Sequence, residues 1–295
     1  MIQEVLLLRM QQKGVFLVIL SAVVFGLNPI FAKQVFAGGG NAWTLTFLSK
    51  AIGAGGLFLM HRVAKEPSQP VSATDFKHLL LCSLGATAAP TLLYSSYHFI
   101  ASGIATTLHF VYPVFVIAGC GIFFRERLER KQVCCCVLCM VGIFCFYTPT
   151  QAVDLSGAAI ALASGAAYAF YIVSLSRSSL MELPPYQLAA MLCLANALET
   201  LLISLAARQF TLALTLDAWG FALVFSLLNS CVATIAFQIG TKYIGPQNAS
   251  LLSTFEPLTS MLVGCFAYHE ALTAASLAGI GCILCSVVLL SFHRQ

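Results

Sequence analysis

The chain has 295 residues, of which 59% are hydrophobic and only 9% charged, with a formal net charge of +4 and a mean hydropathy of +0.90. A soluble domain carries about 25% charged residues, so this composition cannot cover a surface in water. It predicts an all-α polytopic membrane protein whose surroundings are a lipid bilayer and not a nucleic acid. Twelve cysteines fall mostly inside apolar runs, as in Cys134, Cys135, Cys136 and Cys139, where the thiol behaves as a small buried hydrophobe. The spacing CCCxxC puts Cys135 and Cys139 on one helix face and invites a metal reading, but no paired Cys/His set of zinc-finger type is present; no metal and no cofactor is expected, and burial of the thiols in apolar runs argues against a disulfide framework.

Met1 to Lys13 is short and polar, and the apolar run Gly14 to Phe36 lacks a small-residue cleavage site and exceeds the core of a signal peptide. It is expected to remain as the first membrane helix. A bilayer core takes roughly 20 apolar residues per helix and requires every backbone group to be satisfied within it. On that rule ten spans are predicted, at 14–36, 42–61, 78–97, 102–124, 132–148, 156–176, 186–206, 218–240, 246–269 and 273–292. Short connections such as Gly38-Gly39-Gly40-Asn41 force consecutive helices to lie antiparallel, and the longest loop, Arg62 to Lys77, is too small for a domain. With the N-terminus inside, 12 of the 15 Lys and Arg residues fall on the cytoplasmic side, which is the orientation that basic loops select. Both termini are then cytoplasmic.

The stretch Ala105 to Leu128 occurs twice. A shift of 144 residues lays Ala105 on Ala249, Leu108 on Leu252, Pro113 on Pro257, Glu126 on Glu270 and Leu128 on Leu272. At a shift of 143, Gly14, Ser21 and Phe25 meet Gly157, Ser164 and Tyr168. Two halves are therefore expected, 1–149 and 150–295. Five spans per half is an odd number, so the second half enters the membrane from the opposite side. The charges agree, since the first repeated turn carries Arg125, Arg127, Arg130 and Lys131 while the second, His269 to Thr273, has no Lys or Arg. Inverted repeats of this kind place a binding site near the midplane between the halves.

Two five-helix halves, each closing with a proline helix, a Glu turn and one last apolar helix, resemble the drug/metabolite transporter superfamily, specifically its EamA branch. The residues carrying the likeness are Pro113 with Glu126 and Leu128, Glu256-Pro257 with Glu270, Leu272 and Thr273, the opening of span 1 with Gly14, Ser21, Phe25, Gly26, Asn28 and Lys33, and Gly279 in span 10. Lys50 stands where the family pattern commonly has Arg, keeping the charge and losing the bidentate fork. The resemblance covers almost the whole chain. It implies a secondary carrier in the cytoplasmic membrane, usually an exporter of amino acids, other metabolites or drugs, whose terminal spans 5 and 10 brace the halves or a homodimer. It does not identify the substrate or the direction: uptake of a small metabolite is the alternative, and an intramembrane enzyme and a channel are the readings from other classes, the enzyme lacking any GxSxG or HExxH motif.

Charged groups at membrane depth mark function. Lys50, His109 and Glu256 count to mid-depth, Asn28 slightly past it, and Lys33 and Glu199 nearer the outer surface, so all should point inward. Lys50 and Glu256 are opposite in sign and suit a pair in the empty carrier that parts for a zwitterion; a static pair fixing span 2 is the alternative. His109 is a candidate proton carrier, with Glu256 or Glu199 in its place and a hydrogen-bonded packing role as the bland reading. Tyr94, Tyr112, Tyr168 and Tyr171 supply aromatic surface for a substrate or for packing. Pro29, Pro113 and Pro257 interrupt their helices and are candidate hinges, while Glu126 and Glu270 are candidates for closing the turns or latching gates.

Overall fold

The computed structural model describes residues 2–96, 99–100, 102–126, 129–145, 154–259, 262 and 273–291. Among these the chain is helical throughout. Seven stretches are long and apolar enough to cross a bilayer: Arg9–Ala37, Ala42–Val63, Ala73–Ser96, Ala105–Phe124, Leu155–Ser176, Pro185–Ala206 and Leu216–Ile244. The other three predicted spans fall on shorter described helices, at Arg130–Cys145, at Pro246–Leu252 followed by residues 255–259, and at Ala274–Ser291. Glu270 lies outside the described residues.

The first span divides into α1 (Ile2–Gly26) and α2 (Asn28–Ala37) because Pro29, in the first turn of α2, has no N–H to continue the ladder. Helix α3 (Ala42–Val63) starts where the Asn41 side chain accepts from the Thr44 N–H at 2.9 Å. Helix α4 (Ala73–Ser96) begins five residues earlier than hydropathy predicts. There the Ser72 hydroxyl accepts from the Asp75 N–H and the Asp75 carboxylate accepts from the Ser72 N–H, both at 3.0 Å, and this reciprocal cap extends the helix beyond its apolar run. Span 4 breaks into α5 (Ser102–His109) and α6 (Tyr112–Phe124) just before Pro113. The same break recurs at Ser253 and Thr254, between α12 (Pro246–Leu252) and the helical residues 255–259 that contain Pro257.

Helices α7 (Arg130–Cys145), α8 (Leu155–Ser176) and α9 (Pro185–Ala206) are uninterrupted. Asp154 caps α8, accepting from the backbone N–H groups of Ser156 and Gly157 at 2.7 and 3.0 Å, which hold its carboxyl below the usual carboxylate range. Span 8 runs as α10 (Leu216–Ser226), a π-helical segment Leu227–Thr234, and α11 (Ile235–Ile244). The final helix is α13 (Ala274–Ser291).

Packing follows a simple rule in the predicted span numbers. Span 3 lies along span 6, span 1 along span 8, span 2 along span 7, span 5 along span 10, and span 4 meets span 9. Adding five to each number returns the same set of pairs. Polar side chains sit inside the bundle, with Ser21, Thr44, Asn196, Thr200, Ser226 and Ser230 buried, whereas Ile122 and Phe123 are 73% and 79% exposed. In water such exposure would forfeit roughly 25 cal/mol per Å²; against lipid it costs nothing, and the distribution marks a membrane-embedded surface. Of the four clustered cysteines Cys135, Cys136 and Cys139 are buried as expected and Cys134 is exposed, on the outer side of α7; Cys139 Sγ donates to Ser286 Oγ at 3.1 Å, and Ser286 donates to the Cys135 carbonyl at 3.0 Å.

Spans 2 and 8 approach so closely at Gly53 that a Cβ there would stand 2.3 Å from the Ser230 Cβ. Gly53→Leu should therefore destabilise the bundle by about 1–3 kcal/mol, read as a lowered melting temperature in detergent. An unchanged melting temperature would mean that this contact is looser than the geometry requires.

Candidate functional site

The helix breaks cluster around one cavity of about 140 Å³ in the middle of the bundle. Span 1 reaches it through Asn28, span 2 through Lys50, span 3 through Tyr94, span 4 through His109, span 6 through Tyr168 and Tyr171, and the broken span 9 through Glu256. Seven of the eight residues singled out as substrate ligands thus meet on one wall system. Tyr112 does not reach it: fully buried, it packs behind the wall, with its ring 5.6 Å from His109 and 4.9 Å from Tyr168. Lys33 also departs from the expected inward orientation and lies on the exposed side of α2.

Lys50 and Glu256 bring both signs of charge to the cavity, but no ion pair joins them. Equal depth along two spans does not set the direction each side chain takes around its helix, and the two groups line the same cavity without coming within ion-pair distance. Each therefore faces the cavity without the other as its partner. The space between is flanked by amides and rings. Asn229, in the π segment, donates from Nδ2 to Asn28 Oδ1 at 3.0 Å, tying the irregular part of span 8 to the break in span 1. Tyr168 and Tyr171 stack with centroids 6.0 Å apart, and Gln238 donates to the Tyr171 hydroxyl at 3.4 Å.

His109 is oriented by Ser164. The Ser164 hydroxyl donates to the Ala161 carbonyl at 2.6 Å and lies 2.8 Å from His109 Nδ1. With its proton on that carbonyl the hydroxyl accepts from Nδ1–H, and turned to the ring it donates to Nδ1, so either way Ser164 fixes the ring's direction. Gly165 allows this approach, since a Cβ there would lie 2.7 Å from the His109 carbonyl oxygen.

At the end of the bundle rich in Arg and Lys, Glu126 joins three spans. Its carboxylate pairs with the Arg177 guanidinium at the end of α8 and accepts from Gln247 Nε2, at the start of α12, at 2.5 Å. Arg177 also lies over the Phe124 ring, 5.2 Å from its centroid. At the opposite end the loop before α3 is held to the loop before α10: Asn41 Nδ2 donates to the Gln209 carbonyl and the Thr44 hydroxyl to the Thr211 carbonyl, both at 2.7 Å.

Asn196, Asn229, Thr46 and Ser49 also line the cavity and escape the sequence reading. The signal was present for the two asparagines, each a lone amide in an apolar run.

Membrane helices wound around a central cavity of mixed polarity define a membrane transport protein. The chain belongs to the EamA-like transporter family, whose profile matches residues 12–148 and again residues 155–292. It is 27% identical over 284 residues to an uncharacterized transporter of Archaeoglobus fulgidus, covering 95% of this chain and 97% of that one. It is also 25% identical over 249 residues to the uncharacterized transporter sll1319 of Synechocystis, covering 79% and 72%. A solved crystal structure superimposes with a TM-score of 0.80 at 16% identity, over 94% of this chain and 96% of that chain, which establishes the fold alone.

Proposed function

We propose that this transporter is a secondary carrier that exports a small amphipathic metabolite, an amino acid or a related zwitterion, across the cytoplasmic membrane by alternating access. The observation that carries this reading is the pair of opposite charges, Lys50 and Glu256, facing one cavity without an ion pair between them. A buried charge left without a partner is costly, and a substrate bearing its own carboxylate and ammonium answers both at once. The amides of Asn28, Asn196 and Asn229 suit its polar atoms, and Tyr168 and Tyr171 its apolar part.

The two family matches and the pairing of spans that repeats on adding five support an inverted duplication of ten helices, with halves at 1–149 and 150–295. The basic loops support an N-terminus in the cytoplasm, which makes the Glu126–Arg177–Gln247 contact a cytoplasmic latch. In this reading Pro113 and Pro257, each beside a break in its helix, are the hinges of the two halves.

The test is counterflow. Purified protein in liposomes preloaded with pooled amino acids, nucleosides or cationic drugs should give saturable uptake of trace labelled compound for the amino-acid pool. Saturable uptake for the cationic drugs alone would overturn the zwitterion assignment, and linear, unsaturable flux would overturn the carrier.

A further inference from the structure

Glu199 lies in α9 at membrane depth, away from the cavity wall, between lipid-facing Leu198 and Leu202 on one side and α4 on the other. Its carboxylate is met by the hydroxyls of Ser83 and Thr87, the latter 2.8 Å from Oε2. No Lys, Arg or His contacts it among the described residues. Of the titratable side chains on the elements packed against α9, Lys50 and His61 of α3, Cys82 of α4, Cys231 of the π segment and Lys242 and Tyr243 of α11, and of Cys193 on α9 itself, none forms a hydrogen bond or ion pair with it among the described residues. Two neutral hydroxyls are thin support for a negative charge in a bilayer.

Each of those hydroxyls has one proton and two acceptors. Ser83 reaches the carboxylate or the Leu80 carbonyl at 3.0 Å. Thr87 reaches the carboxylate or Asn196 Oδ1 at 3.3 Å. When Glu199 is ionised, both hydroxyls donate to it. When it binds a proton, the new carboxyl O–H donates to one hydroxyl, whose own proton turns to the second acceptor. In both arrangements the Glu199 carboxyl keeps both hydroxyl partners, and Asn196 Oδ1 receives the Thr87 proton only when that hydroxyl turns away from the carboxyl, so the cluster has two hydrogen-bonded states that differ by one proton. Asn196 is the link outward, because its side chain is 3% exposed and forms part of the cavity wall.

We propose that Glu199, Ser83 and Thr87 form a proton-binding site whose state is passed through Asn196 to the cavity. The coupling to transport rests on the carrier reading; the proton site itself does not.

Infrared spectroscopy of the full chain in liposomes reads the proton directly. Among the 11 Asp and Glu residues the band is isolated by difference: one component of the protonated-carboxyl stretch that grows on acidification should persist in Glu256→Gln and be missing from Glu199→Gln. In Thr87→Val it should remain but move in frequency, since one hydroxyl partner is gone. The same titrating band in Glu199→Gln as in the parent protein would overturn the site. Loss of the band when sodium replaces choline at constant pH would also overturn it, in favour of a cation site. An Asn196→Ala band unchanged in frequency and midpoint would remove the link to the cavity. If the band behaves as stated while counterflow is absent, the carrier reading falls and the proton site stands.

Discussion

Glu256→Gln is expected to reduce counterflow of a zwitterionic substrate by about ten- to a hundredfold while leaving the protein folded and in the membrane. Glu256 is the acidic side chain on the cavity wall, and a hydrogen bond to a charged group is worth about 1.5–3 kcal/mol, where each 1.4 kcal/mol is a factor of ten. Folding should survive because the carboxylate makes no hydrogen bond or ion pair with the protein among the described residues. The measurement is the initial counterflow rate with a size-exclusion profile as control. An unchanged rate would reduce Glu256 to packing. Lys50→Gln makes the complementary cut, and its defect should be confined to substrates that carry a carboxylate.

Arg177→Ala should open the Arg- and Lys-rich end of the bundle. The Glu126–Arg177 pair is about one-third exposed on each side, so solvent screening holds the pair to at most about 1 kcal/mol. Loss of the Phe124 contact adds to it. Together these predict roughly a five- to tenfold rise in the open population. Cys193 is a native reporter, since it lines the cavity and is 1% exposed. Its modification by a membrane-impermeant maleimide in inside-out vesicles, read by mass spectrometry, should accelerate by that factor. Unaltered labelling would show that Glu126 only closes its turn.

The membrane class and the helices were legible in apolar runs, and the helix breaks before Pro113 and Pro257 were legible because proline lacks a donor. Lys50, His109 and Glu256, grouped in the sequence by counting along their spans, line one cavity. Azimuth was not legible. Counting residues along a span sets height within the bilayer but not which neighbour a side chain faces, so the Lys50–Glu256 pair failed to form and Tyr112 fell behind the wall. The π segment Leu227–Thr234 left no mark, having neither proline nor glycine. The early start of α4 was hidden because Ala73 to Lys77 is too polar to join a hydropathy run and is helical through its cap.

That π segment has a counterpart. A shift of 144 residues places 227–234 on 83–90, the part of α4 that ends at Pro90. The two copies loosen the same stretch by unrelated means, one by widening its turns and the other by deleting a backbone donor. Duplicated halves that have diverged in this way are no longer mechanical mirror images. The donor missing at Pro90 is fixed in the covalent chain, whereas a π turn can be wound out by slipping hydrogen bonds one residue. Under the alternating access proposed above, the two strokes of a cycle, each led by a different half, would then cross barriers of different height.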